Sequence, residues 1–389
     1  MTQITKNIQM VDLKTQYKNL QSEIDSAVLE VIRSTAFING PQVKAFKANL
    51  EAYLGAKHVI PCANGTDALQ IALMGLGLKP GDEVIVPAIT FAATANCVIA
   101  LGGKPVIADV EPDTLLIDTG SVEKHITSRT RAVIAVEYAG QPCDYRALRN
   151  LADKHHVFLI SDSCHALGAR YDKKSIGQLA DATVFSFHPV KHITTGEGGA
   201  IVIDDPELAM RMRRFRNHGI NVDLHQRNDA GTWFYEVAGP GFNYRLTDFQ
   251  CALGLSQLKK VEQWIKRRQE IARRYDLAFQ ETDAILPLTV KENRRHAYHL
   301  YVVRVRCSGD VKNRAGLFSA LRDKGIGVNV HYIPLNLHPY YQQHLGVRQG
   351  QCPAAETAYE NILSLPIFPA MSDADVDFVV ETISDLIER

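Results

Sequence analysis

Residues 181–200 read D-A-T-V-F-S-F-H-P-V-K-H-I-T-T-G-E-G-G-A. Ala182 to Phe187 is an apolar run of strand length. Ser186, His188 and Pro189 end it and turn the chain. Lys191 follows in the turn. Then comes Thr194-Thr195-Gly196-Glu197-Gly198-Gly199, which carries little side-chain bulk, and residues 200–203 resume as a strand. A lysine at a strand end, among hydroxyls and glycines, can attack a carbonyl if its ammonium is partly desolvated. Taken alone, Lys191 reads more simply as a solvated loop lysine, since lysines are mostly exposed. The residues upstream change that balance.

Upstream, apolar runs of strand length alternate with helical patterns. Strands are predicted at 58–61, 83–86, 105–108, 132–136 and 157–160. Helices are predicted between them at 63–73, 94–101 and 144–155. Strands this apolar, separated by helices, predict an α/β fold whose mainly parallel sheet is covered on both faces. Such sheets bind ligands at the carboxyl ends of their strands. Two helices precede this region, at 20–33 and 43–54, with S-T-A-F-I-N-G-P (34–41) breaking between them. Past residue 205 the pattern changes. A long helical stretch covers 247–280, with a kink expected near Gly254, and an α+β remainder follows. That remainder holds strands at 299–305 and 327–333 and helices at 314–324 and 373–387. We therefore expect a large domain over 1–265, with segment 1–55 reaching the substrate site, and a smaller α+β domain over 266–389.

Composition narrows the function classes. The 389 residues are 46% hydrophobic and 22% charged, ordinary for a globular protein. Lys plus Arg and Asp plus Glu number 43 each, which argues against a broad field for nucleic acid or a membrane surface. The seven cysteines are scattered, with no C-x-x-C. That favours free thiols in a reducing compartment over a disulfide framework or a zinc site. With no signal peptide and no spanning apolar stretch read, the expectation is cytoplasmic. A nicotinamide dehydrogenase would need strand–G-x-G-x-x-G–helix, and the chain has none.

Three features sit at predicted strand ends. Asn64-Gly65-Thr66-Asp67 opens a helix, where Gly65 permits close backbone approach and the first amides favour an anion; an ordinary capped helix start is the plainer reading. Asp162 ends the strand 157–160 and is followed by Ser163-Cys164-His165. It suits a general base, a metal ligand or the partner of a protonated ring nitrogen, and a turn Asp is the plainer reading. Only His165 stands near enough to serve as a second ligand, so no metal site is expected. The third feature is Ser186 with Lys191. A lysine, a strand-end aspartate and a phosphate-binding serine beside a helix start suit pyridoxal 5'-phosphate (PLP). Phe91 could stack on its ring, although core packing is the plainer reading of a lone Phe.

With these residues in place, the chain resembles the PLP-dependent nucleotide-sugar aminotransferases of fold type I, the DegT/DnrJ/StrS-like family. The resemblance runs over essentially the whole chain. It includes F-I-N-G-P, N-G-T-D-A-L, P-A-I-T-F-A-A-T-A-N, Y-A-G-Q-P, S-D-S-C-H-A-L-G-A, S-F-H-P-V-K-H-I-T-T-G-E-G-G-A, N-Y-R-L-T-D-F-Q and V-H-Y-I-P-L. It implies that Lys191 carries the cofactor as a Schiff base and that Asp162 partners the pyridine nitrogen. It implies that Ser186, Thr66 and the amides near Gly65 hold the phosphate, and that Phe91 stacks on the ring. Asn243 would reach the phosphate of the other subunit, giving a homodimer with shared active sites. Two departures stand out. Cys164-His165 occupies the place where many members carry Ala-Gln, which puts His165 at the cofactor's O3′ side, and Glu137 stands where many carry His.

Within the family, several segments are similar to aminotransferases of pseudaminic acid biosynthesis. Those act at carbon 4 of a UDP-linked 4-keto-6-deoxy-N-acetyl-hexosamine with L-glutamate as donor. This similarity implicates Thr35, Ala36, Phe37 and Ile38, with His331, Tyr332, Ile333 and Pro334, in binding the sugar nucleotide. Residues 57–73 look closer to members acting on 3-keto UDP-sugars, so that class and dTDP-4-keto-6-deoxy sugars stand as alternatives. Sugar dehydratases of the same fold carry His where this chain has Lys191. A non-catalytic relative would be expected to have lost Lys191, Asp162 or Ser186, and all three are present.

Overall fold

In the computed structural model the described residues are 7–222, 227, 230–306, 311 and 313–387. The large sheet has seven strands: β1 (His58–Cys62), β2 (Glu83–Pro87), β3 (Lys104–Ala108), β4 (Thr130–Val136), β5 (Phe158–Asp162), β6 (Ala182–Ser186) and β7 (Gly199–Ile203). Their spatial order is β1-β7-β6-β5-β4-β2-β3. β3-β2, β2-β4, β4-β5 and β5-β6 pair in parallel, whereas β7 runs antiparallel to both β6 and β1. The physical reason lies in the opening stretch. Residues 187–198 return the chain to the sheet without a crossover helix, so β7 must run back along β6. The lysine loop is therefore a strand connection at the carboxyl edge of the sheet.

Helices cover both faces, as the near-continuous apolar strands require. α1 (Leu13–Ser34) starts on Asp12, whose carboxylate accepts from the Thr15 amide at 2.9 Å, and ends at Thr35 in the left-handed region. α2 (Pro41–Leu54) buries Val43, Phe46, Leu50 and Leu54. Burying each such side chain stabilises by about 1.5–3 kcal/mol. Its first turn is capped from outside the helix. Asp248, fully buried, accepts from the amides of Gly40 (2.8 Å), Gln42 (2.9 Å) and Val43 (3.3 Å). A Cβ on Gly40 would lie 2.6 Å from Asp248 Oδ1, so the tight approach needs glycine there.

The long helical stretch over 247–280 divides in two. α3 (Asp248–Leu258) starts with a capping box between Thr247 and Gln250, and α4 (Val261–Phe279) follows after a break at Lys259 and Lys260. The kink expected at Gly254 is absent. That glycine serves packing, since an added Cβ would meet Phe46 Cε2 at 2.8 Å and Thr195 Cγ2 at 2.7 Å.

The C-terminal part holds a second apolar core around Ile271, Tyr275, Phe279, Val303, Leu317, Leu363 and Ile383. Its three-stranded sheet joins β8 (Ile285–Pro287), β9 (Tyr301–Val305) and β10 (Ile362–Leu365). The strand expected over 327–333 does not form. Asn329 makes a single bridge to Ser364, and the Gly327 amide bonds instead to the Ile8 carbonyl at 2.7 Å. The apolar run there pairs with separate partners rather than with one ladder. Residues 335–358 pack against the core of the large sheet through Leu335, Tyr341, Cys352 and Ala355. Among the described residues, no helix is long and apolar enough to cross a membrane, and no cluster of three or more His, Cys, Asp or Glu could hold a metal ion.

Candidate active site

At the carboxyl edge of β4, β5 and β6 lies a cavity of about 810 Å³. Gly65, Thr66, Phe91, Asp162, His165, Ser186, Lys191, His331 and Tyr332 all line it. Nine residues named from the sequence thus line one cavity, although they span more than 260 positions of the chain.

The helix starting at Gly65 (Gly65–Gly75) opens at this wall. Asn64 caps it, accepting from the Asp67 amide at 2.8 Å, and the Ala68 amide bonds the Asn64 carbonyl at 3.0 Å. That leaves the Gly65 and Thr66 amides at the cavity as anion donors. A Cβ at Gly65 would sit 2.8 Å from Ser186 Cβ and 3.2 Å from both Ser186 Oγ and Cys164 Sγ. Glycine keeps the backbone bare where Ser186 approaches it. A phosphate group fits such a corner, with two amides and a hydroxyl converging.

Asp162 ends β5 and is buried. Its Oδ2 accepts from Thr94 Oγ1 at 2.9 Å and its Oδ1 from the Cys164 amide at 3.3 Å. Thr94 in turn lies 2.8 Å from Thr90 Oγ1. Lys191 is in the return loop, its amide bonded to the His188 carbonyl at 2.9 Å. Burial lowers its ammonium from the ordinary value of 10.5, while the negative forms of Cys164 and Asp162 pull the other way. The loop itself is held from α3. Gln257 accepts from the Thr194 amide (3.0 Å) and donates to the Thr194 carbonyl (2.7 Å), and Gln250 donates to the Glu197 carbonyl (2.7 Å). These side-chain amide bonds hold the loop just after Lys191 and help to present its lysine from a fixed position.

On the opposite wall, Phe91 is 61% exposed and its ring centroid is 6.0 Å from that of Tyr332. An apolar ring left open at a cavity mouth is a ready platform for another flat ring. Tyr332 Oη lies 3.2 Å from His165 Nε2. The ring centroid of His299 lies 4.3 Å from that of His165 and 5.7 Å from that of His192, the two pairs tilted by 42° and 46°. Burial, helped by the Lys191 charge, holds His165 well below its ordinary value, and burial brings His192 down to about 3. The histidines are therefore neutral rings. Among the described residues, Nδ1 of His165, His192 and His299 finds no partner.

The other sequence-named residues lie elsewhere. Asn243 is exposed, bridges Asn217 and is not among the residues lining this chain's cavity. Thr35, Phe37 and Ile38 are exposed beside the start of α3, where Phe37 stacks on Phe249 at 5.2 Å and Ile38 bridges Thr247; Ala36 is half-buried among them. Ile333 is exposed, and Pro334 is buried beyond the lining residues. Sequence reasoning did not single out Thr94, Glu197 or Asn329 as site residues, yet they line the cavity. Thr94 lies in P-A-I-T-F-A-A-T-A-N, where a hydroxyl on a helix that follows a strand end could have marked it.

Comparison with known proteins agrees with this geometry. The profile of the DegT/DnrJ/EryC1/StrS aminotransferase family matches residues 18–384. The chain is 41% identical over 363 residues to the spore coat polysaccharide biosynthesis protein SpsC of Bacillus subtilis strain 168, covering 93% of each chain. Among solved structures, Spr1654 of Streptococcus pneumoniae in its PLP form matches with a TM-score of 0.88 at 32% identity, covering 94% of this chain and 96% of that one. Helicobacter pylori PseC, an aminotransferase of pseudaminic acid biosynthesis, matches with a TM-score of 0.86 at 34% identity, covering 94% and 96%. PLP bound here would supply an electron sink for moving an amino group, and the fold is that of the fold type I PLP transferases. The chain belongs to the DegT/DnrJ/EryC1/StrS aminotransferase family, with PLP as its cofactor.

Proposed function

We propose that this protein transfers an amino group, from L-glutamate, to carbon 4 of a UDP-linked 4-keto-6-deoxy-N-acetyl-hexosamine for surface polysaccharide assembly. The carrying observation is the one cavity in which Lys191, Asp162 and the helix start at Gly65 converge while His331 and Tyr332 form a far wall. Lys191 would hold the cofactor and would move the proton of the donor's α carbon as base and then acid. Asp162 would keep a proton on the cofactor's ring nitrogen. Ser186, Thr66 and the Gly65 amide would bind the phosphate, and Phe91 and His165 would pack against the ring. The sugar assignment draws on the similarity to PseC and SpsC. A panel of UDP-4-keto, UDP-3-keto and dTDP-4-keto sugars, each with glutamate, tests it by product mass. Turnover is expected with the UDP-4-keto sugar, and preference for another class would sink the sugar assignment while leaving the transaminase reading standing.

The same proposal includes a homodimer that shares its sites. The segment before Asn243 carries Trp233, Phe234, Tyr235 and Val237 as exposed apolar residues, with Trp233 83% exposed. Such a patch calls for a covering surface, and Asn243 is exposed and is not among the residues that line its own chain's cavity. Light scattering is expected to give twice the mass of one chain; a monomer that turns over normally would refute the shared site.

A further inference from the structure

Glu137 immediately follows β4 and is fully buried. Its backbone amide bonds the Asp162 carbonyl at 3.3 Å. Its carboxyl group lies behind β5. Oε2 accepts from Ser161 Oγ at 3.1 Å and from Ser163 Oγ at 2.9 Å, those two hydroxyls are themselves 2.6 Å apart, and Oε1 accepts from Tyr145 Oη. Ser161 and Ser163 are both fully buried and flank Asp162 on either side. Successive side chains on a strand face opposite ways. Ser161 therefore points away from the cavity that Asp162 faces, and Ser163, just past the strand end, brings its hydroxyl to the same Glu137 oxygen.

Asp162 is thus held twice. In front, Thr94 and the Cys164 amide fix its two oxygens. Behind, one carboxyl group ties down the residues before and after it. We propose that Glu137 is a positioning residue, which sets the height and direction of Asp162 at the end of β5 through Ser161 and Ser163 and so tunes how the site binds PLP. This rests on the reading of Asp162 as the partner of the cofactor's ring nitrogen.

The hub has a second property that sharpens the test. Burial, with the nearby Asp162 charge, pushes the Glu137 carboxyl up to about 8, against the pull of its three hydroxyl partners. At neutral pH it is mostly the uncharged acid, and one of the three bonds that the carboxylate would accept then runs the other way, from the carboxyl O–H to a hydroxyl oxygen, while the carbonyl oxygen still accepts. Glutamine offers the same pair of roles in the same shape. Alanine offers neither and leaves buried hydroxyls unpaired.

The test strips the purified holoenzyme of cofactor and titrates PLP back by visible absorbance. The proteins are wild type, Glu137→Ala, Glu137→Gln, Asp162→Asn and Glu137→Ala with Asp162→Asn. Glu137→Ala is expected to weaken PLP binding about tenfold and to shift the pH at which the bound cofactor's absorption changes, with Glu137→Gln restoring both to within about threefold of wild type. In the Asp162→Asn background, the alanine change is expected to add no more than about threefold, because the residue it positions is already altered. Equal losses in both backgrounds would assign Glu137 to general stability, and unchanged affinity in Glu137→Ala would remove its role altogether; either overturns the proposal. Should Glu137→Ala fail to fold, Ser161→Ala combined with Ser163→Ala enters the same cycle, with the same outcomes deciding. A wild-type protein that takes up no PLP would instead overturn the reading of the cavity itself.

Discussion

Lys191→Ala is expected to lower kcat by roughly ten-thousandfold or more, since both the nucleophile and the proton carrier are removed. The argument rests on where the chain puts this amine. The lysine loop is the reversal between β6 and β7, clamped from α3 by Gln250 and Gln257. Deleting the side chain leaves those backbone bonds untouched, so the variant should fold and still show the apolar core of the wild type. Burial holds the ammonium below 10.5. The neutral amine is therefore reached at a lower pH than an exposed lysine would need. The acid limb of the wild-type kcat profile, which reports that amine, should be missing from whatever rate the variant retains. The check combines kcat against the preferred keto-sugar with borohydride reduction and peptide mapping. The label should fall on the peptide containing Lys191 in the wild type and be absent from the variant. Turnover within tenfold of wild type would end the assignment.

Asp162→Asn should cost about a hundred- to a thousandfold in kcat, the scale seen when one charge-stabilising group is removed from a site. The substitution keeps the size of the side chain and an oxygen able to accept from Thr94 Oγ1, now 2.9 Å away. What it removes is the negative charge that would keep a proton on the cofactor's ring nitrogen. Stability should change little, because the buried carboxylate gives way to a neutral amide of similar shape. The informative comparison is kcat against Tm: a large fall in the first with little change in the second supports the electrostatic role. A parallel collapse of both would mean that Asp162 serves the fold of the β5 edge and not the chemistry.

Much of this was legible along the chain. The strands were marked by unbroken apolar runs such as 132–136 and 182–187, because a strand buried on both faces has no polar side to alternate with. Their separation by helical segments specified a parallel sheet, and that in turn specified the edge where a ligand would sit. Lys191, Asp162, Ser186 and Gly65 were each visible at a predicted strand or helix terminus, and all four line the same cavity. The misreadings were of a different kind. Residues 247–280 carry one helical pattern, yet the chain breaks at Lys259 and Lys260, where nothing in the local periodicity marks an end. Residues 327–333 have the composition of a strand, yet their amide partners are divided between Ile8 and Ser364.

The sequence by itself determined the layered α/β architecture and the cofactor chemistry, since both depend on local patterns of polarity and on residue types at element ends. Only the tertiary structure decided which distant groups share a wall. Phe91 and Tyr332 come within 6.0 Å across 241 positions of chain. His165, His192 and His299 become a cluster of neutral rings because burial strips them of water, and no sequence pattern records burial of that kind. The same is true of Glu137. On the page of residues it is one acid after a strand; in the fold it lies behind β5, bonded to the two serines that flank Asp162. Register between neighbouring strands sets that contact, and register is settled by how whole faces of side chains pack.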